Sequence, residues 1–175
     1  MKKNILESFS LAGKKAIVVG GAGDLGKAMV EAISQAGAQT VVIDFDERVF
    51  GICEEFKKDG LEVDAIRADI SKIAEIKESY QTALDLLGGK VDILINSAGI
   101  QRRYPSEDFP DEEWSKVIAI NLDATFYYCK YVAKNMLENG GGKIINIASL
   151  MSFLGGITIP AYAASKGGVG QLTKA

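Results

Sequence analysis

A tyrosine and a lysine four residues apart, Tyr162 and Lys166, are the side chains of this sequence best suited to acid–base chemistry. On a helix this spacing brings both side chains to one face. A free phenol, with a pKa of about 10, is a poor base, but a nearby ammonium stabilises the phenolate and lowers that pKa. The sequence has no histidine, so histidine bases, serine–histidine hydrolases and histidine metal ligands are excluded. Taken alone, the pair also fits an exposed helix face without any chemistry.

Ser149 and Asn121 are polar residues in otherwise apolar surroundings. Ser149 follows the apolar run 144–148, and the ligands of an open parallel sheet bind at the carboxyl ends of its strands. A serine there can donate a hydrogen bond to a carbonyl or alkoxide oxygen. Asn121 lies inside a long helical pattern, where asparagine lowers the helix propensity. It is therefore either a specific hydrogen-bonding residue or a merely tolerated polar one.

Three glycines, Gly20, Gly23 and Gly26, follow the first predicted strand at three-residue spacing. A strand-to-helix turn that approaches a pyrophosphate needs positive φ angles and no obstructing Cβ atoms. The N–H groups at the start of the next helix, around Asp24 and Leu25, then face the phosphates. We predict a dinucleotide-binding loop here, with a plain tight turn as the alternative.

The second predicted strand ends in a carboxylate, Asp44, which lies 24 residues beyond Gly20. In dinucleotide-binding folds, an acid about 20 residues after the glycine loop accepts hydrogen bonds from the adenosine ribose. A carboxylate there repels a 2′-phosphate, so we predict NAD as the cofactor in preference to NADP. Asp46 can share this role, whereas Arg48 argues for NADP. The alternative is a strand-end acid that contacts only solvent.

Short apolar runs alternate with longer segments of helical period along the chain. This alternation predicts an α/β fold, a Rossmann-type doubly wound parallel sheet with helices on both faces. The predicted strands are 15–19, 40–44, 62–67, 91–95 and 143–148, and the predicted helices are 24–36, 47–59, 71–87, 111–138 and one from Pro160 to the last residue. The predicted core-facing side of the first helix consists of Leu25, Met29, Ala32 and Ile33.

The composition is that of an ordinary globular protein, with 175 residues, 47% of them hydrophobic, and a formal charge of −3. This charge balance argues against a nucleic-acid-binding protein. We expect no membrane association and a cytoplasmic location, because the sequence has neither a spanning apolar run nor the apolar segment of a secretory signal. The two cysteines, Cys53 and Cys129, form no metal-binding or disulfide pattern, so we predict no metal site.

Together these motifs resemble the short-chain dehydrogenase/reductase family over essentially the whole chain. Two further matching pieces are Ala68-Asp69-Ile70 and Asn96-Ser97-Ala98-Gly99. The resemblance implies a catalytic tetrad. In it the tyrosine is the acid–base, the lysine lowers its pKa and holds the nicotinamide ribose, the serine binds the substrate oxygen, and the asparagine helps to hold a water of the proton relay. These residues are Tyr162, Lys166, Ser149 and Asn121, in that order.

The resemblance also implies which residues contact the cofactor. Asp69 would contact adenine, and Ala98 and Gly99 would line the cofactor cleft. The full implied set is Gly20, Gly23, Asp24, Leu25, Gly26, Asp44, Asp69, Ile70, Asn96, Ala98, Gly99, Tyr162 and Lys166. The sequence departs from the family pattern at Val19, where threonine is usual, and at Ser97, where a second asparagine is usual. Neither departure affects the tetrad.

Two adjacent arginines, Arg102 and Arg103, follow the fourth predicted strand at the mouth of the expected cleft. The forked, charge-assisted hydrogen bonds of a guanidinium suit a carboxylate substrate, although both side chains fit a solvated loop equally well. The resemblance is to the sugar-acid dehydrogenases of the family. It implies hydride transfer between NAD and a secondary alcohol or ketone of a 2-deoxy-D-gluconate or gluconate type of substrate, with Ser149 and Tyr162 bracketing the reacting oxygen.

Three other functions stay open on the sequence: an NADPH-dependent 3-oxoacyl-thioester reductase, a non-catalytic nucleotide-binding module and an inactive fragment. The last arises because the sequence ends inside the helix of Tyr162 and Lys166 without a helix stop signal. We expect residues 1–175 to form a single dinucleotide-binding and catalytic domain, truncated within that helix, whose C-terminal elements are missing. The resemblance further implies a homodimer or homotetramer.

Overall fold

One parallel sheet organises the protein in the computed structural model, which describes residues 4–175. The first three residues of the predicted domain lie outside the described part. The five strands are Lys15–Val19 (β1), Gln39–Asp44 (β2), Val63–Arg67 (β3), Ile93–Asn96 (β4) and Lys143–Asn146 (β5). They lie in the order β3-β2-β1-β4-β5, and every neighbouring pair is parallel. The predicted Rossmann-type fold is therefore confirmed.

Helices connect the strands and cover the sheet. They are Asp24–Gln35 (α1), Arg48–Lys58 (α2), Ile73–Leu86 (α3), Asp111–Ile118 (α4), Ala124–Glu138 (α5) and Pro160–Lys174 (α6), with short 3-10 helices at Leu6–Phe9, Ser106–Asp108 and Leu150–Ser152. Most bounds agree with the prediction to within two residues. Within residues 4–175, no helix is both long enough and apolar enough to cross a membrane.

Alternate residues of β1 enter two separate cores. Ile17 and Val19 pack on the side of α3 and α5, whereas Ala16 and Val18 pack on the side of α1 and α2. A strand that is apolar throughout its length is typical of a parallel sheet covered on both faces. The sequence pattern of β1 is explained by this double burial.

The strand order reverses next to β1. The chain builds β2 and β3 on one side of β1, then crosses to build β4 and β5 on the other side. Ligands of such sheets bind at this reversal, outside the carboxyl ends of the strands. The segments that follow β1 and β4, beginning at Gly20 and Ser97, therefore flank the expected crevice.

The predicted core-facing side of α1 is correct only in part, because Met29 and Ile33 pack against the core whereas Leu25 and Ala32 are exposed. The buried residues of this helix are Gly26, Val30 and Ser34, whereas Leu25 is 67% exposed. Gly26 sets the rotation of the helix, because a Cβ atom at this position would overlap the carbonyl oxygen of Gly20. The close approach of the glycine turn thus overrides the apolar pattern and directs Leu25 to solvent.

The predicted helix 111–138 is confirmed at both of its ends, but its interior was not predicted. It consists of α4 and α5 separated by a π-helical turn at Ala119–Asp123, and such turns occur frequently at functional sites. Strand β5 ends at Asn146, two residues before the predicted end at Ala148. Just beyond this end, the N–H of Ile147 still donates to the Asn96 carbonyl at 2.9 Å, whereas the Ile147 carbonyl accepts a hydrogen bond from Lys166 at 2.6 Å.

Candidate active site

The turn after β1 brings the backbone of two strands into close contact. Gly20 has a φ of +86°, and a Cβ atom on it would overlap the backbone of Ala98 after β4. Gly26 packs in the same way against Gly20. Only glycine fits these two positions, so the predicted role of these residues in a tight strand-to-helix turn has a direct steric basis.

The N-terminus of α1 is open. Gly23 occupies the N-cap position without a side-chain hydrogen bond, and a Cβ atom there would meet nothing within 4 Å. Asp24 is the first helical residue, and both Asp24 and Leu25 are exposed. The first N–H groups of the helix are thus directed at the crevice with room in front of them, an arrangement that suits a phosphate.

Asp44 fixes the glycine turn to the end of β2. One carboxylate oxygen accepts the N–H of Ala22 at 2.8 Å, and the other accepts the N–H of Asp46 at 2.9 Å. Arg48 is exposed and binds Asp46 through two nitrogens at 2.7 and 2.8 Å. The guanidinium that argued for NADP is therefore already paired with a carboxylate.

Asp69 lies at the start of the next connection. Its carboxylate accepts hydrogen bonds from the hydroxyl and the N–H of Ser71, at 2.7 and 3.1 Å, and pairs with Lys72 at 3.2 Å. The hydrogen bond from the Ser71 hydroxyl lowers the pKa of Asp69. Ile70 is buried in the core, where it lines a small cavity together with Asn96 and Ala98. These three predicted cofactor residues lie together.

Asn96, at the end of β4, bonds across the sheet to its register partner on β5. Its side-chain N–H donates to the side-chain oxygen (Oδ1) of Asn146 at 2.9 Å. Asn96 is 5% exposed, and its own amide oxygen accepts no hydrogen bond within residues 4–175. The side chain therefore joins two strand ends beneath the crevice and does not face solvent.

Asn121 is the centre of a buried hydrogen-bond network in the π turn. Its side-chain oxygen accepts the N–H of Ile100 at 2.8 Å, and its side-chain nitrogen donates to the Ile100 carbonyl at 3.0 Å. The same nitrogen donates to the hydroxyl of Ser165 at 3.1 Å. Of the two interpretations of Asn121 left open by the sequence, the structure therefore supports the specific hydrogen-bonding residue.

Lys166 is 5% exposed and lies beside Asn121. An ideal Cβ atom on Gly99 would lie 3.5 Å from the Asn121 side-chain oxygen and 3.6 Å from Lys166 Nζ. The ammonium donates to the carbonyl of Ile147 at 2.6 Å. Burial lowers the pKa of this ammonium from its ordinary value, because removal from water disfavours the charged form.

Ser149 and Tyr162 complete the predicted tetrad from two different elements. Ser149 precedes the 3-10 helix Leu150–Ser152 and accepts the N–H of Met151 at 3.2 Å, so its hydroxyl proton is available to another acceptor. Tyr162 lies on α6, one turn before Lys166, and is half-buried. Among residues 4–175, no group hydrogen-bonds its phenol. Both hydroxyls can therefore bond to a substrate oxygen.

The two predicted substrate arginines differ in their surroundings. Arg102 donates to Glu113 on α4 at 2.7 Å and to the Gln101 carbonyl at 2.9 Å. Arg103 is exposed and forms no ion pair within the described part of the chain. The next residue, Tyr104, donates its N–H to the carbonyl of Thr158 at 3.0 Å, just before α6. Arg103 is thus held near the helix of Tyr162 with its charge free.

A cavity of about 500 Å³ lies at the opposite edge of the sheet, near the amino ends of the strands. Lys14, Asp92 and Lys143 are among its lining residues, and none of the predicted site residues borders it. The groups suited to chemistry converge at the carboxyl edge, where ligands of this sheet type bind. We therefore assign the candidate active site to the carboxyl edge.

With this geometry established, comparisons with known proteins identify the family. The family model described as short chain dehydrogenase matches residues 14–175. This chain is a member of the short-chain dehydrogenase family. The resemblance inferred from the glycine turn and the Tyr162–Lys166 pair is therefore confirmed.

The relatives of this short-chain dehydrogenase include enzymes named for gluconate derivatives. The chain is 39% identical to the 2-dehydro-3-deoxy-D-gluconate 5-dehydrogenase of Bacillus subtilis (strain 168) over 96% of its own length and 65% of the relative. It is 38% identical to the 5-keto-D-gluconate 5-reductase of Escherichia coli (strain K12), over 95% of the chain and 65% of the relative. The chain thus spans 65% of the length of these two curated relatives.

A crystal structure from the same group has a closely similar backbone. It is a gluconate 5-dehydrogenase from Burkholderia cenocepacia J2315 in complex with NADP and tartrate, with a TM-score of 0.90 and 35% sequence identity. The similarity covers 98% of this chain and 67% of that chain. It independently supports the Rossmann-type architecture of this short-chain dehydrogenase.

The residues at the crevice of this short-chain dehydrogenase fit a nicotinamide dinucleotide. The glycine turn leaves the N-terminus of α1 uncapped and unobstructed at Gly23, which suits the pyrophosphate. Asp44 lies at the end of the adjacent strand, where the ribose is held in such folds. Gly99 lies beside Asn121 and Lys166, and any larger side chain there would fill the space in front of them.

Several residues that position the tetrad were not identified from the sequence. Ser165 connects Asn121 to the carbonyl of Tyr162, to which its hydroxyl donates at 2.8 Å. Glu113 neutralises Arg102, and Ser152 joins the segment of Ser149 to α6. Serine and glutamate on these segments have no distinctive pattern. Their roles depend on neighbours that are distant along the chain.

Proposed function

We propose that this protein is an oxidoreductase that transfers a hydride between NAD and a secondary alcohol or ketone of a sugar acid of the 2-deoxy-D-gluconate or gluconate type. The position of Asn121 and Lys166 beside Gly99, with Tyr162 one helical turn before Lys166 and its phenol without a hydrogen bond within residues 4–175, carries the proposal. The names of the two curated relatives support the substrate class. The cofactor, when bound, supplies the hydride acceptor or donor.

Tyr162 is the proposed acid–base. In the oxidative direction its phenolate takes the proton of the substrate hydroxyl, and in the reductive direction its phenol returns it. We assign to Lys166, one helical turn later on α6, the role of stabilising the negative charge that develops on the phenol oxygen during proton transfer. The sequence contains no histidine that could do this work.

Ser149 and Asn121 have distinct proposed roles. Ser149 donates its hydroxyl proton to the substrate oxygen, because its oxygen accepts the N–H of Met151 while its proton stays available. A donor aimed at this oxygen is most effective when charge develops there. Asn121 holds the backbone of Ile100 against the π turn and thereby shapes the wall of the crevice next to Lys166.

The proposed cofactor is NAD in preference to NADP. Asp24, Asp44 and Asp46 surround the place expected for the adenosine ribose, and two nearby guanidinium groups, those of Arg48 and Arg67, are paired with Asp46 and Glu47. An additional phosphate would meet excess negative charge there. The related gluconate 5-dehydrogenase contains NADP, so the preference must be measured directly.

Arg103 is the proposed substrate-binding arginine. We expect Arg103→Ala to raise KM for a sugar acid by roughly 10–100-fold, because a hydrogen bond to a charged group contributes about 1.5–3 kcal/mol. Arg102→Ala is the matched control and should have a smaller effect on KM, since Arg102 already binds Glu113. Steady-state kinetics of both variants measure this difference. A larger rise of KM in R102A than in R103A would contradict the assignment.

The activity is tested by incubating the purified protein with NAD⁺ or NADP⁺ and a panel of sugar acids while nicotinamide reduction is followed optically. We expect reduction with NAD⁺ and 2-deoxy-D-gluconate or gluconate. Activity confined to NADPH and a 3-oxoacyl thioester would replace this proposal with the reductase. Nucleotide binding without turnover on any substrate would favour a binding module.

We further propose that the protein works in the cytoplasm as a homodimer or homotetramer. The exposed side chains of Phe126 and Leu137 on α5, which are 44% and 83% exposed, support contact between copies through this helix. Sedimentation equilibrium should give a mass of two or four chains. A monomeric mass at all protein concentrations would contradict the proposed assembly.

A further inference from the structure

A single hydroxyl, that of Ser152, connects the segment of Ser149 to helix α6. It accepts the N–H of Ser149 at 3.3 Å and donates to the carbonyl of Lys166 at 2.6 Å. We propose that Ser152 is a positioning residue that sets Ser149 relative to Tyr162 and Lys166 and thereby determines turnover. This inference rests on the proposed dehydrogenase function and adds a residue that touches neither cofactor nor substrate.

The hydrogen bond from the N–H of Ser149 to the Ser152 hydroxyl is one half of a capping box at the start of the 3-10 helix Leu150–Ser152. Ser152 holds the N–H of Ser149, while Ser149 Oγ accepts the N–H of Met151 at 3.2 Å. These reciprocal bonds fix the backbone and the side chain of Ser149 together. They leave the Ser149 hydroxyl proton as the group that points to a substrate oxygen.

On helix α6, both the side chain and the backbone carbonyl of Lys166 form hydrogen bonds with residues that follow β5. Its ammonium donates to the Ile147 carbonyl at 2.6 Å, and its own carbonyl accepts the Ser152 hydroxyl at 2.6 Å. Tyr162 lies one turn earlier on the same helix. The Ser152 bond therefore relates the position of Ser149 to the positions of both the phenol and the ammonium.

The loop that joins the 3-10 helix Leu150–Ser152 to α6 does not by itself fix the distance between Ser149 and α6. Residues 153–157, which join the 3-10 helix to the start of α6, are all exposed. Phe153 is 81% exposed and Ile157 is 90% exposed. Because the side chains of this loop are exposed, the distance between Ser149 and α6 depends on the hydrogen bonds of Ser152 together with the bond from Lys166 to Ile147.

The test compares Ser152→Ala with Ser152→Thr, which keeps the hydroxyl, and with Ser79→Ala. Ser79 is a matched control because its buried hydroxyl also makes two hydrogen bonds, to Tyr128 at 2.7 Å and to the Ile76 carbonyl at 3.1 Å, on helix α3. The readouts are kcat, KM, the dissociation constant for NAD and the melting temperature. Ser152→Cys, which keeps the size of serine, is prepared in parallel so that unfolding of S152A does not decide the result.

We expect S152A to lower kcat by roughly 10–100-fold, because misplacement of a reacting group by about 1 Å costs up to that factor. The NAD dissociation constant should stay unchanged, S152T should restore most of kcat, and S152C should lie between S152A and S152T. S79A should lower the melting temperature while keeping full kcat.

Three results would overturn the inference, and only the last of them also removes the proposed function. If the unsubstituted protein is active but S152A keeps full kcat with only a lower melting temperature, Ser152 is purely structural and the proposed function stands. If S152T fails to restore kcat lost in S152A, the hydroxyl is not the cause. An unsubstituted protein inactive on the whole panel would remove the proposed function and, with it, the role of Ser152.

Discussion

We expect Tyr162→Phe to lower kcat by about 10²–10⁴-fold, the range contributed by a positioned general acid–base. The substitution removes one oxygen atom from a phenol that makes no hydrogen bond within residues 4–175, so the fold should be unaffected. NAD binding should persist, because the ring and Lys166 remain in place. Steady-state turnover and NAD titration of the same preparation measure both quantities.

Tyr131→Phe is the matched control for this variant. Tyr131 stacks on Tyr80 with 5.5 Å between ring centroids and lies outside the crevice, on α5. Removal of its hydroxyl should leave kcat unchanged. Turnover that survives in Y162F would exclude Tyr162 as the acid–base, and loss of NAD binding with preserved turnover would reverse the roles assigned to this helix.

We expect Gly26→Ala to destabilise the protein by about 3 kcal/mol, the upper end of the usual cost of overpacking, and to abolish NAD binding. The new Cβ atom would overlap the carbonyl oxygen of Gly20. Backbone cannot rotate away as a flexible side chain can, so α1 must move away from the glycine turn. Thermal unfolding should show a fall in melting temperature of roughly 10 °C, given about 2–4 °C per kcal/mol for a chain of this size.

Gly51→Ala is the control, and we expect it to change the stability of the protein in the opposite direction. Gly51 lies in α2, is exposed, and a Cβ atom there would meet nothing within 4 Å. Replacement of an exposed helical glycine by alanine should stabilise the protein by about 0.5–1 kcal/mol. If G26A were as stable as G51A and still bound NAD, the close packing of the glycine turn would not be required for the site.

Local patterns in the sequence were sufficient for the architecture. The buried strand Lys15–Val19 was predicted with both of its ends correct, because its apolar run is flanked by a charged residue and a glycine. The helical spacing of Tyr162 and Lys166 followed from residue distance alone. Strand-then-helix alternation also predicted a parallel sheet, since parallel neighbours require crossover connections.

The contacts that position the site could not be predicted in this way. The predicted face of α1 was only partly correct, because the approach of Gly26 to Gly20 directs Leu25 to solvent although Met29 and Ile33 pack against the core. The helix 111–138 was predicted with both ends correct, but its π turn, in which Asn121 bonds to Ile100 and Ser165, was not predicted. Neither partner of Asn121 is near it in sequence.

The sequence by itself determined which chemistry is available to this protein: a phenol, an ammonium, a serine hydroxyl and a glycine turn, with no imidazole. The tertiary structure decided which of these groups are free to act. It pairs Arg102 with Glu113, leaves Arg103 without an ion pair among residues 4–175, and attaches Lys166 to Ile147 and Ser152. The physical reason is that residue type and local spacing are encoded in the chain, whereas hydrogen bonds and ion pairs depend on which elements the folded sheet brings together.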